Sequence, residues 1–207
     1  MIRVFFAKPG AGKTTSCVHM AKKNLRKYEH VYLTFDNTVP GVHTCDFNDL
    51  GLWTFPKHSY IADDESGIGF NSRKTLSLPQ HTISYLKKHR HYKVDMDFCS
   101  QSHEDIDVTI RRLANEYWIL YRIGPWTLGR RIYKSVGIDK NTHQIVDEYR
   151  FASMLWLLIW PLQLGYPFDK KFTLTFRPFY YKYFDSWECD DLPVRDFPIL
   201  APKKKIM

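Results

Sequence analysis

The stretch Ile2-Arg3-Val4-Phe5-Phe6-Ala7-Lys8-Pro9-Gly10-Ala11-Gly12-Lys13-Thr14-Thr15 decides how the rest of the chain is read. Its apolar run at residues 4–7 predicts a buried strand. The glycines after it predict a tight turn, and Gly12-Lys13-Thr14 opens a helical pattern. Strand, Gly-rich turn, Lys-Thr and helix, in that order, make a phosphate-binding P-loop. The chemistry is local. Backbone N–H groups of residues 10–14 curl around a polyphosphate, and the helix N-terminus adds a favourable dipole. Lys8, Pro9, Gly10, Ala11, Gly12, Lys13, Thr14 and Thr15 are therefore the candidate nucleotide loop. Within it Lys13 reaches toward the β- and γ-phosphates of ATP, and Thr14 offers its hydroxyl to Mg2+. Ala7 stands where the motif usually has its first glycine, at the strand end rather than against phosphate, so the loop survives the change.

Outward from the loop, bulk properties bound the architecture. A chain of 207 residues suits one α/β domain with a modest appendage. A hydrophobic fraction of 44% supports a real core and excludes global disorder. The net charge of +8 points weakly to polyanionic partners or an acidic membrane surface. Cys17, Cys45, Cys99 and Cys189 show no C-x-x-C spacing and no histidines at ligand spacing, so a zinc site is not supported. Four reduced, mostly buried thiols are the preferred reading. Met1 leads straight into the first strand, so no leader peptide is expected.

After the loop, Cys17, Ala21, Leu25 and Tyr28 share one helical face, while Lys22, Lys23, Arg26 and Lys27 take the other as solvated surface. Residues 30–35 predict a second strand, and residues 36–56 read mostly as loop. Then comes Ser59-Tyr60-Ile61-Ala62-Asp63-Asp64-Glu65, an apolar strand ending in acids about fifty residues beyond Lys13. A carboxylate at that end holds magnesium through water, and the next one orients or deprotonates an attacking water. Asp64 is assigned to magnesium together with Thr14, and Glu65 to water activation, with Asp63 the lesser ligand. A glutamate at this place favours hydrolysis over transfer to a small acceptor.

Residues 80–92 predict a helix with Ile83 and Leu86 inward and a basic end. Residues 94–101 alternate as a strand ending in Ser100 and Gln101, where a polar side chain beside the P-loop strand senses the γ-phosphate. Ser102-His103-Glu104-Asp105 has the pattern of a capping box. It opens a helix whose apolar stripe is Ile106, Ile110, Leu113, Ala114 and Tyr117, with Arg111 and Arg112 off it. Residues 118–123 predict a further strand. The alternation implies an α/β fold with a mainly parallel sheet flanked by helices and the site at the strands' C-terminal ends.

Taken together, Lys8-Pro9-Gly10-Ala11-Gly12-Lys13-Thr14, Asp64-Glu65 followed by Phe70 and Arg73, Ser100-Gln101, and Asp107 with Arg111 form an ordered set. The set resembles the zonular occludens toxin-like (Zot) family, the morphogenesis ATPases of filamentous bacteriophages. Tyr183-Phe184-Asp185-Ser186-Trp187 is similar to the tyrosine–aspartate segment that ends that family's ATPase domain. The resemblance implies a P-loop NTPase fold of the RecA/FtsK–HerA kind, assembled as a homo-oligomer at the cytoplasmic face of the host inner membrane. There it would work with phage assembly proteins and export phage carrying single-stranded DNA. By position it makes Lys13, Glu65 and Gln101 catalytic, with Gln101 the sensor. Arg111 becomes the candidate arginine finger entering a neighbour's site.

Two departures stand out. Asp95 and Asp97 interrupt a strand that the family keeps apolar, which predicts a less buried strand. Family members also carry a membrane-spanning helix after the ATPase domain, and the one candidate here is residues 151–168. That run is uncharged but at the lower limit, since a span needs ~20 residues, and it contains Pro161, Gln163 and Gly165. Three readings stay open for it: a segment packed on the domain or a neighbouring subunit, a membrane-surface segment, or a span. Residues 173–183 read as a strand returning to the domain. The expected organisation is an ATPase core at 1–135, an apolar and aromatic extension at 136–189 packing on the core or the membrane, and a loose basic tail at 190–207. An oligomeric, ATP-hydrolysing motor of phage assembly is the leading reading. A P-loop small-molecule or nucleoside kinase and a nucleotide-dependent membrane scaffold without turnover are the alternatives.

Overall fold

The computed structural model describes residues 1–64, 78–138, 145–154 and 171–185. Glu65, the Phe70 to Arg73 motif, Cys189, most of the apolar run at 151–168 and the tail at 190–207 lie outside the described residues.

The strands are β1 (Ile2–Ala7), β2 (His30–Leu33), β3 (His43–Thr44), β4 (Ser59–Asp64) and β5 (Val94–Ser100), then β6 (Glu116–Ile123), β7 (Trp126–Ile138), β8 (Ile145–Phe151) and β9 (Phe172–Phe176). The helices are α1 (Lys13–Asn24), α2 (Gln80–Tyr92) and α3 (Val108–Leu113). The nine strands among the described residues join one sheet in the order β3-β2-β4-β5-β1-β6-β7-β8, with β9 paired to the first half of β7. From β3 to β6 every pairing is parallel. The hairpins that follow, β6-β7 and β7-β8, are antiparallel, as is β7-β9. The α/β fold with a mainly parallel sheet is therefore borne out, with an antiparallel wing added to it.

The two-residue period of β1 builds both halves of the core. Ile2, Val4 and Phe6 face α2 and α3, packing with Leu86, Met96, Phe98 and Ile110. Phe5 and Ala7 face α1, packing with Cys17, Val18 and Ala21. A parallel strand covered by helices on both sides must be apolar throughout, which is what the run at residues 4–7 supplies.

Some boundaries differ from expectation. The helix read from residue 102 onward is only Val108–Leu113. Its cap is Asp107, whose Oδ1 accepts from the Thr109 N–H at 2.6 Å, rather than Ser102. Tyr117 belongs to β6, paired with Val4, not to a helical stripe. The returning strand stops at Phe176 and continues as two tight 3-10 turns, Arg177–Phe179 and Tyr181–Tyr183. Asp95 and Asp97 do not loosen β5: Asp97 is only 3% exposed and Asp95 is half-buried. Arg3 donates to both Asp97 carboxylate oxygens at 2.6 Å, and the Tyr60 hydroxyl donates to the same group.

Candidate nucleotide and magnesium site

β1 ends at Ala7, and the chain turns over Gly10 (φ +73°) and Gly12 (φ +93°) before α1 begins at Lys13. Both glycines occupy the left-handed region, where an L side chain is strained. At Gly12 there is also no room. A Cβ would stand 2.4 Å from Thr127 Oγ1 and 2.9 Å from Arg177 Cδ. Ala11 N–H donates back to the Lys8 carbonyl at 3.1 Å, closing the turn. Ser16 N–H donates to the Gly12 carbonyl at 3.0 Å and starts the helix.

Because β4, β5 and β1 are adjacent and parallel, their C-terminal ends come level with the loop. Asp64 closes β4, and its Oδ2 accepts a hydrogen bond from the Thr14 hydroxyl. The two groups read from sequence as magnesium ligands therefore converge, from positions 50 residues apart in the chain. Asp63 is turned elsewhere: its Oδ1 accepts from the Thr34 hydroxyl at 2.6 Å, which favours Asp64 as the ligand. One hydroxyl and one carboxylate beside a polyphosphate fit Mg2+, which keeps much of its water and takes few protein oxygens. Cys17 and Cys99 lie next to Asp64, their sulfurs 3.2 Å apart in a thiol–thiol hydrogen bond rather than a disulfide. Contact with Cys99 and burial push Cys17 well above the usual thiol range; at Cys99 the contact with Cys17 works downward, but burial and the nearby aspartates raise the thiol overall. Protonated thiols do not compete for a hard cation.

The loop opens on a cleft of about 630 Å3 whose floor includes Gly12, Lys13, Thr14 and Thr15. Pro9 and Gly10 line its rim, while Lys8 and Ala11 do not face it. Gln101 reaches the cleft from the residue after β5, beside the P-loop strand. Arg111 does not. It lies in α3, just before β6, which starts opposite Arg3 at the far end of β1 from the loop. Its Nη1 meets His103 Nδ1 at 3.2 Å, on the sheet face that carries α2 and α3 rather than α1.

The remaining wall comes from residues that sequence reasoning missed. Thr127 of β7 donates its hydroxyl to the Ala11 carbonyl at 2.9 Å. Arg177, after β9, donates to the Gly10 carbonyl at 3.1 Å and to the Gly124 carbonyl at 2.9 Å. Beyond it Tyr181, Phe184 and Asp185 line the cleft. That segment is pinned to α1, with His19 Nδ1 2.6 Å from the Tyr180 hydroxyl and Lys22 Nζ donating to the Tyr183 hydroxyl at 2.7 Å. It is also pinned to the loop after β2, where Thr38 N–H donates to the Tyr183 carbonyl at 2.9 Å. The only advance signal was the tyrosine–aspartate patch, which marked the segment but not where it folds.

A phosphate loop at the C-terminal end of a parallel sheet, facing a magnesium-type Thr–carboxylate pair, defines the class: a P-loop NTPase fold. Among solved structures, the N-terminal domain of zonular occludens toxin from Neisseria meningitidis superposes with a TM-score of 0.52 at 16% identity, covering 74% of this chain and 94% of that domain. The superposition shows a shared fold, the P-loop NTPase fold that the ordered motifs also imply. Lower in similarity are B204, the DNA-packaging ATPase of Sulfolobus turreted icosahedral virus, and the flagellar accessory protein FlaH of Methanocaldococcus jannaschii. B204 has a TM-score of 0.45 at 13% identity, covering 71% of this chain and 96% of that one. FlaH has 0.44 at 11%, covering 71% and 88%. No family model and no curated protein matches the sequence.

Proposed function

We propose that this protein is a magnesium-dependent, ATP-hydrolysing motor of filamentous phage assembly and export, working as a homo-oligomer at the cytoplasmic face of the host inner membrane. The observation that carries the nucleotide part is the Thr14–Asp64 contact at the mouth of a glycine-built loop. The phage role is supported by the ordered motifs and by the fold shared with a Zot N-terminal domain.

Lys13 and the loop N–H groups bind and orient the β- and γ-phosphates, while Thr14 and Asp64 would hold a magnesium ion, whose charge would offset that developing on the phosphates. Glu65, directly after Asp64, takes a proton from the attacking water, and Gln101 orients that water against the γ-phosphate. Arg111, which does not line the cleft of its own chain, serves a neighbour's, so turnover requires assembly. The net charge of +8 suits a path for phage single-stranded DNA or contact with an acidic membrane surface.

The test is ATP turnover per subunit across a range of protein concentrations. The specific rate should rise with concentration and then level, and Arg111→Ala should abolish the rise while leaving nucleotide affinity unchanged. A specific rate independent of concentration, with Arg111→Ala equal to wild type, would overturn the assembled motor.

A further inference from the structure

Arg177 is a buried cation in an unusual position. It is 7% exposed and stands against the phosphate loop, yet its two side-chain partners among the described residues, the carbonyls of Gly10 and Gly124, are neutral. Among the described residues no carboxylate pairs with it, and its Nε has no hydrogen-bond partner. A guanidinium carries five N–H donors. Two are used on the carbonyls, and among the described residues no acceptor meets the others. Carbonyl dipoles offset part of a buried charge, but an uncompensated one is strongly destabilising unless an anion answers it.

The surroundings say where that anion sits. Arg177 lines the same cleft as Lys13 and Thr14, and its Cδ lies 2.9 Å from where a Gly12 Cβ would be. Its position is set from several sides. Its own N–H donates to the Pro125 carbonyl at 3.0 Å, and its carbonyl accepts from Tyr180 N–H at 2.9 Å. A planar fork held this way presents its free donors with little entropy left to lose, and matches phosphate oxygens.

We propose that Arg177 is a second phosphate-binding cation of the nucleotide site, supplied in cis by the turn after β9, with the bound polyphosphate as its counter-charge. This rests on the nucleotide reading above and adds to it. The segment after β9 becomes part of the binding site, because the same residue ties the Gly10 carbonyl, the β6–β7 turn and the ligand together.

The experiment is calorimetric titration of the full chain with ATP and with inorganic tripolyphosphate, which carries the anion without base or sugar. Wild type, Lys13→Ala, Arg177→Gln and Arg177→Lys are compared, each melted without ligand as a control. Gln keeps an N–H donor for the carbonyls and removes the charge, whereas Lys keeps the charge and loses the fork. Arg177→Gln should weaken both ligands about tenfold or more, and Arg177→Lys should recover part of that loss. The ligand-free Gln variant should melt no lower than the Lys variant, since removing an unanswered charge relieves the apo state. If Gln and Lys bind tripolyphosphate as tightly as wild type, or lose affinity equally, Arg177 is a strut and the inference is overturned. If Lys13→Ala loses binding while Arg177→Gln does not, only this inference falls. If wild type itself ignores tripolyphosphate, the P-loop reading falls and takes this one with it.

Discussion

Asp97 shows what one residue can hide from a sequence reading. An aspartate in the middle of an apolar strand suggests exposure, and it is instead among the most buried carboxylates described. The reason is register. Arg3 on β1 stands opposite Asp97 on β5, and Tyr60 reaches it from β4. Burial works to raise the carboxyl's pKa, while the Arg3 guanidinium and the Tyr60 hydroxyl favour its charged form. Alternation along one strand is legible in sequence; which residue lies across from it is not, because pairing is non-local. Removing one partner strands the other's charge. Asp97→Ala should therefore cost about 3–5 kcal/mol in urea unfolding, and Arg3→Met combined with Asp97→Leu should recover most of it. A single-variant loss below about 1 kcal/mol, the range of an exposed pair, would contradict this account.

At the scale of elements, the sequence was most informative where local chemistry alone decides. The P-loop turn, α1, β4, β5 and all of α2 lie where strand alternation, helical spacing and glycine punctuation put them. It was least informative where two patterns overlap. Ile106, Ile110, Leu113 and Tyr117 keep helical spacing, yet Ala114 is extended and Tyr117 is drawn into β6 by pairing with Val4. Tertiary pairing outweighed local periodicity there. Within α2, His89 falls in the basic end of the helix, yet its ring is buried, with Nδ1 2.7 Å from the Leu86 carbonyl. Burial lowers its pKa, with the Leu86 bond opposing, the Met1 amino group and Arg90 adding to the fall, and Asp95 opposing. His103 is lowered in the same direction, chiefly by burial and then by Arg111. The unfolded chain therefore binds protons first. The stability from neutral histidine is fully present above the ordinary value of 6.5 and is lost as pH falls below it toward the folded value. Unfolding free energy should decline from pH 7 to 5.5, and His89→Gln should flatten part of that slope. An unchanged slope in His89→Gln would remove this residue from the acid response.

For the whole molecule, the decisive fact is that β5 lies between the strand carrying the loop and the strand carrying Asp64. That order puts Gln101 between the two halves of the site, and it explains why short motifs scattered over the first hundred residues read as one set. The antiparallel wing was not legible, because its contribution depends on long-range contacts: Thr127 and Arg177 meet residues 10–12 from more than a hundred positions away. Among the described residues no helix is long and apolar enough to cross a membrane. The proposed function requires above all that this loop, with Lys13 at its base, bind and hydrolyse ATP. Its most direct test is steady-state ATP hydrolysis with magnesium by wild type beside Lys13→Ala and Glu65→Gln. Wild type should turn over, Lys13→Ala should lose both binding and turnover, and Glu65→Gln should bind ATP yet hydrolyse it on the order of a hundredfold more slowly, in keeping with loss of a group that acts on the attacking water. Equal rates in wild type and Lys13→Ala would contradict the claim at its root.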